Sequence, residues 1–103
     1  MPRQVPPRSP ADITGDRELR VQCLTALGHL YEWRGQYREA MAVWQDLTRL
    51  RGSGNDWFLL AQSLERASRL AEARDAWRKA VRSGELPDPA RKHAAKKLSA
   101  LGG

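Results

Sequence analysis

The chain has 103 residues, of which 41% are hydrophobic and 29% charged, and its formal net charge is +6 at pH 7. This length holds one domain with a modest core and argues against a large catalytic cleft. No apolar run approaches the roughly 20 residues that a membrane span requires, and the first residues lack the apolar segment of a secretory signal, so we expect no membrane association and a cytoplasmic protein.

Residues 1–13 are rich in proline and arginine. Proline fixes φ and removes a backbone donor, so this stretch is predicted to be a flexible N-terminal arm. A first helical hairpin is predicted over about residues 14–52. Thr14 or Asp16 can cap its first helix, and Gly35 ends that helix before an apolar period near 3.6 resumes in a second one.

A second hairpin is predicted over residues 53–86. Two glycines give the turn before it backbone freedom, and the helical period then runs through two further helices that meet at a short break near Ser68. A fifth helix is predicted over residues 88–101, because Pro89 can occupy a first helical turn without losing a hydrogen bond. Every predicted element is a helix, so the predicted fold class is all-α.

The two hairpins repeat each other at a constant shift along the chain. This repeat shift carries Gly28 to Ala61 and Trp44 to Trp77. A further shift of nearly the same length carries Ala61 to Ala95, so the fifth helix matches the first helix of an unfinished third unit. Self-similarity at such a period indicates a helical repeat architecture, in which each unit buries its apolar face against its neighbours.

The first unit reads L-G-x-x-Y and then G-x-Y-x-E-A before a large aromatic ring. It resembles the tetratricopeptide repeat family, whose unit has about 34 residues. The second unit keeps the residue sizes, but Leu64 replaces the tyrosine and the family's proline near the end of the unit is displaced to Pro87. The resemblance covers about residues 21–101. It implies, for residues 14–103, an α-solenoid of two antiparallel helix-turn-helix hairpins with a fifth, capping helix.

The resemblance also gives the alternating small and large residues a packing role, because paired helices approach closely at the small ones. The implied repeat core consists of Leu27, Gly28, Tyr31, Ala40, Trp44, Trp57, Leu60, Ala61, Leu64, Ala73, Trp77 and Ala80. In this family the first helix of each hairpin lines a concave wall that binds a peptide or a partner helix. The resemblance therefore implies a protein-interaction module or adaptor. Its implied partner-binding residues are Gln22, Thr25, His29, Trp33, Phe58, Gln62, Arg66, Lys92 and Lys96.

Some of these residues have a second interpretation. Trp33 and Phe58 can be rigid anchors for a partner, or Trp33 can fold under the N-terminal arm and Phe58 can pack on the adjacent helix. Lys92 and Lys96, with Arg66 nearby, would give the groove a cationic end that suits an acidic peptide. The alternative is that the two lysines only form a solvated helix face.

Other function classes find less support in the sequence. Cys23 and His29 are six residues apart and lie on different helix faces, so no metal site is expected. A phosphate loop and an activated nucleophile are missing, so we expect no catalytic residue, no cofactor and no enzyme. The alternative function is binding of nucleic acid or another polyanion through the basic surface, although the segment RKHAAKK lacks interleaved aromatic residues. The polar last helix favours a monomer, with a homo-oligomer as the alternative.

Overall fold

The computed structural model describes residues 10–102, with side-chain environments from residue 15 onward. Within this range the chain forms five helices and no strand, so the fold is all-α as predicted. The helices are α1 (Pro10–Trp33), α2 (Tyr37–Leu50), α3 (Gly54–Arg66), α4 (Leu70–Arg82) and α5 (Asp88–Ala100). Residues 1–9 of the predicted arm lie outside the described residues.

The first helix begins earlier than the sequence pattern indicated. It starts at Pro10, so Thr14 and Asp16, the two predicted caps, lie inside the helix. Proline is accepted in a first turn because its missing N–H would have had no partner there. Residues 10–13 therefore belong to α1 and not to the arm.

The helices α1 and α3 end in the same way. Gly35 adopts a φ of 75°, and the next N–H donates back to the Tyr31 carbonyl at 2.8 Å. Ser68 adopts a φ of 62°, and the next N–H donates back to the Leu64 carbonyl at 2.9 Å. A left-handed residue followed by such a bond stops a helix and satisfies its last carbonyls. The predicted end at Gly35 is confirmed, and Ser68 occupies the equivalent place in the second unit.

The start of α3 is fixed by a reciprocal cap. The Ser53 hydroxyl accepts from the Asp56 N–H at 3.3 Å, and the Ser53 N–H donates to the Asp56 carboxylate at 2.9 Å. The same carboxylate is fully buried and accepts two bonds from the Arg51 guanidinium, at 2.5 and 2.9 Å. Burial acts to raise the pKa of Asp56, but the bonds from Arg51 and Ser53 outweigh it and hold this pKa below its ordinary value.

Each helix packs against the next one along the chain. The Arg17 guanidinium, near the start of the first helix, donates to the Leu50 carbonyl at the end of the second. The Gly54 N–H, at the start of α3, donates to the Glu85 carboxylate just after α4 at 3.1 Å. Both pairs are therefore antiparallel hairpins, as the short turns require.

Two tryptophans lie at the centre of the core. Trp44 and Trp77 are fully buried, one in each hairpin. Gly28 lies directly under the six-membered ring of Trp44, so α1 and α2 can approach only because this residue has no Cβ. Tyr31 and Trp57 are half-buried against the core. The other buried members of the predicted repeat core are Ala40, Leu60, Ala61, Leu64, Ala73 and Ala80.

Leu27 was predicted to be a core residue, and this is wrong. Its side chain is 39% exposed, whereas its repeat equivalent, Leu60, is buried. The difference arises because α2 covers α3 on that side, while no helix among the described residues covers the corresponding side of α1. None of the five helices described is both long and apolar enough to cross a membrane.

Candidate functional site

The helices α1, α3 and α5 present one face of the molecule between them. Carboxyl-terminal parts of α1 and α3 meet through Glu32 and Arg66, and those of α3 and α5 meet through Glu65 and Lys97, so the three helices run parallel. A cleft of about 370 Å³ opens between α3 and α5 on this face. Its lining consists of Gln62, Glu65, Arg66, Trp77, His93 and Lys97.

The first hairpin is joined to the second by a carboxylate that binds two donors. Glu32 accepts from the indole N–H of Trp44 at 3.1 Å and from the Arg66 guanidinium at 2.6 Å. Its side chain is largely buried, so the charge is compensated at short range. The Arg66 guanidinium also lies 5.5 Å from the centre of the Tyr37 ring, as in a cation–π contact.

The same arrangement recurs one unit later. Glu65 accepts from the indole N–H of Trp77 at 3.0 Å, and the Lys97 ammonium lies 3.7 Å from the same carboxylate. The bonds of Glu32 and Glu65 were not predicted from the sequence. The signal was available, because the repeat shift that relates Trp44 to Trp77 also relates the two glutamates.

Aromatic rings form the floor at the α3–α5 end of the face. Phe58 is half-buried, and its ring meets the Trp77 ring edge-on with the centroids 5.0 Å apart. The ring of His93 lies 5.7 Å from Phe58 and 5.8 Å from Trp77. Of the two interpretations of Phe58, the structure has the second, in which it packs on the adjacent helices. His93 was not predicted to face the cleft.

Lys92 and Lys96 were expected in the groove, and the structure places them elsewhere. Ala94 is fully buried where α5 meets α4. Lys92 and Lys96 are each two residues from Ala94, which is a rotation of about 200° around the helix axis, so both lie on the side of α5 opposite α4. They are exposed on the outer side of α5. His93 and Lys97 occupy the positions in the cleft that were expected for Lys92 and Lys96. A misalignment of one residue rotates a helical position by about 100°, which accounts for the difference.

The α1 end of the face contains the remaining predicted residues. Thr25 is half-buried, and its hydroxyl donates to the Val21 carbonyl at 2.7 Å, so it serves the helix itself. The His29 ring is edge-on to Trp44 at 5.1 Å between centroids, and Trp33 is 81% exposed. Gln22 lines a separate cleft of about 450 Å³. The two clefts are distinct, so the predicted set does not form one site.

Several polar side chains that line the α3–α5 cleft can donate hydrogen bonds to a ligand. Glu32 accepts two hydrogen bonds, and Glu65 accepts one and has Lys97 beside it at 3.7 Å. Gln62, His93 and Lys97 each have a donor that forms no hydrogen bond with any described residue. Among the described residues, no group of three or more histidine, cysteine, aspartate or glutamate side chains could hold a metal ion. The arrangement can therefore bind an acceptor or an anionic group.

Comparisons with protein-family models, with curated proteins and with solved structures find no significant match for this chain. Its function is therefore inferred from its own residues.

Proposed function

We propose that the chain is a non-catalytic, cytoplasmic protein-interaction module with a tetratricopeptide-like α-solenoid. In this proposal two hairpins and the capping helix α5 hold a peptide segment of a partner in the cleft between α3 and α5. The indole–carboxylate–cation contact of Trp44 recurs at Trp77, its repeat equivalent, which supports a scaffold of equivalent units.

The observation that carries the proposal is the group of donors in the cleft, on Gln62, His93 and Lys97, that form no hydrogen bond with any described residue. Glu65 accepts from Trp77 and lies beside Lys97, while Gln62 and His93 add further polar groups at its rim. An extended segment with aspartate or glutamate side chains would supply the missing acceptors.

Binding of nucleic acid or another polyanion is the second candidate. Its specific support is the outer side of α5, where Lys92 and Lys96 are exposed and form no ion pair with any described residue. Two cations are a small footprint, because each neutralised phosphate contributes a slope of only about 0.9 to the salt dependence of binding. The first candidate is therefore the better supported one.

A matched pair of double variants separates the two candidates. H93A with K97Q changes the cleft, whereas K92Q with K96Q removes charge from the outer side of the same helix. Peptides selected from a random library on the wild-type protein are titrated against all three proteins at low and high salt, in parallel with single-stranded and duplex DNA. Circular dichroism verifies that each variant is folded.

We expect the selected peptides to be rich in aspartate and glutamate. We expect the cleft variant to weaken their binding by roughly tenfold or more, the usual effect of losing a charge-assisted hydrogen bond. The outer variant should bind them as the wild type does. If no peptide is selected, or if the outer variant loses the peptides and the cleft variant keeps them, the proposed site is wrong. DNA binding that depends on Lys92 and Lys96 and falls steeply with salt would establish the second candidate instead.

A further inference from the structure

The side of α1 that faces away from α2 has an exposed apolar seam. We define the α1 seam as Leu19, Cys23, Ala26, Leu30 and Trp33. These residues follow one another at intervals of four, three, four and three, the heptad spacing at which helices pair in coiled coils. All five are exposed, Leu19 to 58% and Leu30 to 46%. A continuous apolar stripe of this kind marks an interaction surface.

The second hairpin indicates what kind of element covers such a seam. The repeat shift carries Cys23, Ala26 and Leu30 of the α1 seam to Asp56, Leu59 and Ser63 of α3. All three α3 residues are buried, on a helix that packs against α2. The element that covers the equivalent positions is thus a helix running antiparallel to the one it covers. The α1 seam is the same surface, and no helix among residues 10–102 covers it.

The opposite end of the molecule is closed differently. The outer side of α5 bears the exposed polar residues Lys92, Lys96 and Ser99, and its buried side is already covered by α4. A polar terminal helix of this kind ends a stack of repeats. Only the α1 end of the described chain therefore presents an apolar surface to a further helix.

Charges beside the seam select the partner. Arg20 and Arg34 are exposed along one flank, next to Leu27, and the other flank has the uncharged Gln22 and the imidazole of His29. Glu32, the one acidic residue between positions 19 and 34, lies on the other side of the helix, where it binds Arg66. The exposed charge of α1 along the seam is thus positive. Asp46 of α2 lines a cleft with Arg20 but already pairs with Arg49 at 3.4 Å, so a complementary helix has acidic residues opposite Arg20 and Arg34.

A second copy of this chain is a poor complement. If two α1 helices paired in an antiparallel manner through the seam, the heptad geometry would place Arg20 of one copy opposite Arg34 of the other, at both ends of the interface. A parallel pair would place Arg34 beside His29 of the other copy. Neither arrangement supplies a carboxylate, and like charges across such an interface disfavour pairing.

We propose that the α1 seam binds an amphipathic helix of a partner protein, which runs antiparallel to α1 and has acidic residues along the flank that meets Arg20 and Arg34. The two arginines are fourteen residues apart, about 21 Å along the axis, so the partner helix needs at least two heptads. This interface lies outside the α3–α5 cleft and shares none of its lining residues.

The probe is a synthetic peptide of three heptads. In each heptad, leucine occupies the two positions that face the α1 seam, and glutamate occupies the two positions that flank them. Like charges keep such a peptide from pairing with itself. A control peptide has lysine in place of glutamate and the same seam. Both are labelled, and their binding to the full chain is measured by fluorescence polarisation at low and high salt, while sedimentation measures self-association of the chain.

Three variants test the two parts of the interface. L30E places a charge in the seam, and L70E is its control, because Leu70 is also an exposed leucine, 50% accessible, but lies on α4. R20E with R34E reverses the flank. All four side chains are exposed, so these variants are expected to fold, which circular dichroism verifies.

We expect the glutamate peptide to bind about tenfold or more tightly than the lysine peptide at low salt, with a smaller ratio at high salt. L30E should lose the binding and L70E should keep it, and the reversed flank should prefer the lysine peptide. Equal binding of both peptides, or binding that L30E leaves unchanged, would overturn the proposal. A dimer of the chain that L30E dissociates would also overturn it, because the seam would then be occupied by a second copy.

Discussion

Replacing Gly28 by alanine tests whether the small residues of the repeat are set by packing. A Cβ at this position would lie 2.5 Å from Cζ2 and 2.7 Å from Cζ3 of Trp44, and closer still to Cη2. Real side chains do not approach so closely, and the indole cannot retreat easily because it is fully buried and its N–H donates to Glu32. The substitution must therefore displace the ring or separate α1 from α2.

One favourable and two unfavourable effects set the magnitude of the change in stability. Alanine in a helix interior is favoured over glycine by about 1 kcal/mol. Overpacking costs about 1–3 kcal/mol, and a weakened bond from the indole to Glu32 adds about 1 kcal/mol or more. We expect G28A to lower the free energy of unfolding by a net amount of about 1–3 kcal/mol. For a domain of this size that is a decrease in melting temperature of roughly 4–8 °C per kcal/mol.

The matched control is G15A in the same helix. A Cβ on Gly15 meets nothing within 4 Å, so this variant should gain about 0.5–1 kcal/mol from helix propensity alone. Urea unfolding followed by circular dichroism gives both values. In the W44F background, which lacks the outer ring atoms, G28A should cost much less, as a double-mutant cycle would reveal. If G28A stabilises the protein as G15A does, the packing explanation of this residue is refuted.

Three further predictions concern the other fixed points of the fold. Because the pKa of Asp56 is lowered in the folded protein, its carboxylate stabilises the fold fully above its ordinary pKa of 3.8, and this stabilisation is lost as the pH falls below that value. We expect D56N to be less stable than the wild type at neutral pH by about 1–3 kcal/mol. Urea unfolding should show this difference shrinking below about pH 4. E32Q should cost more than E65Q in the same assay, about 1–2 against 0.5–1 kcal/mol, because the cation lies at 2.6 Å from the first carboxylate and at 3.7 Å from the second, and equal costs would contradict this account. S68G should raise the free energy of unfolding by about 0.5–1 kcal/mol, and with it the melting temperature, because Ser68 has a φ of 62°, which glycine adopts more easily. If the stability does not rise, the serine is not strained.

The sequence was sufficient to predict where α1 ends, but not where it begins. Gly35 ends α1 because the left-handed conformation needed there suits glycine. The internal repeat also predicted that Trp44 and Trp77 would be buried, since large residues at equivalent helical positions fill equivalent spaces. The helical period and the repeat spacing are thus enough to predict that these two tryptophans are buried.

Contacts between units were not predictable to the same degree. The bond from Arg66 to Glu32 joins residues 34 positions apart, and it depends on how far α3 slides along α1, which no local pattern specifies. The orientation of α5 is a similar case. Its equivalence with α3 is weak in sequence, and a difference of one residue exchanged Lys96 for Lys97 in the cleft. Leu27 is exposed because no described helix covers that side of α1, and a repeat alignment does not show which neighbours a helix has.

The contacts that join the units also limit how the cleft can bind. Arg66 lies in the cleft, but its guanidinium is 2.6 Å from Glu32, and a ligand carboxylate that drew it away would leave a largely buried charge with only the indole N–H of Trp44. The Lys97 ammonium, in contrast, is 3.7 Å from the Glu65 carboxylate, which is too far for a hydrogen bond. Its flexible side chain can therefore turn toward a ligand with little loss of stability. If the cleft binds an acidic segment as proposed, we therefore expect the lysine to bind it and the arginine to stay paired with Glu32, although each cation lies beside the equivalent glutamate of its unit.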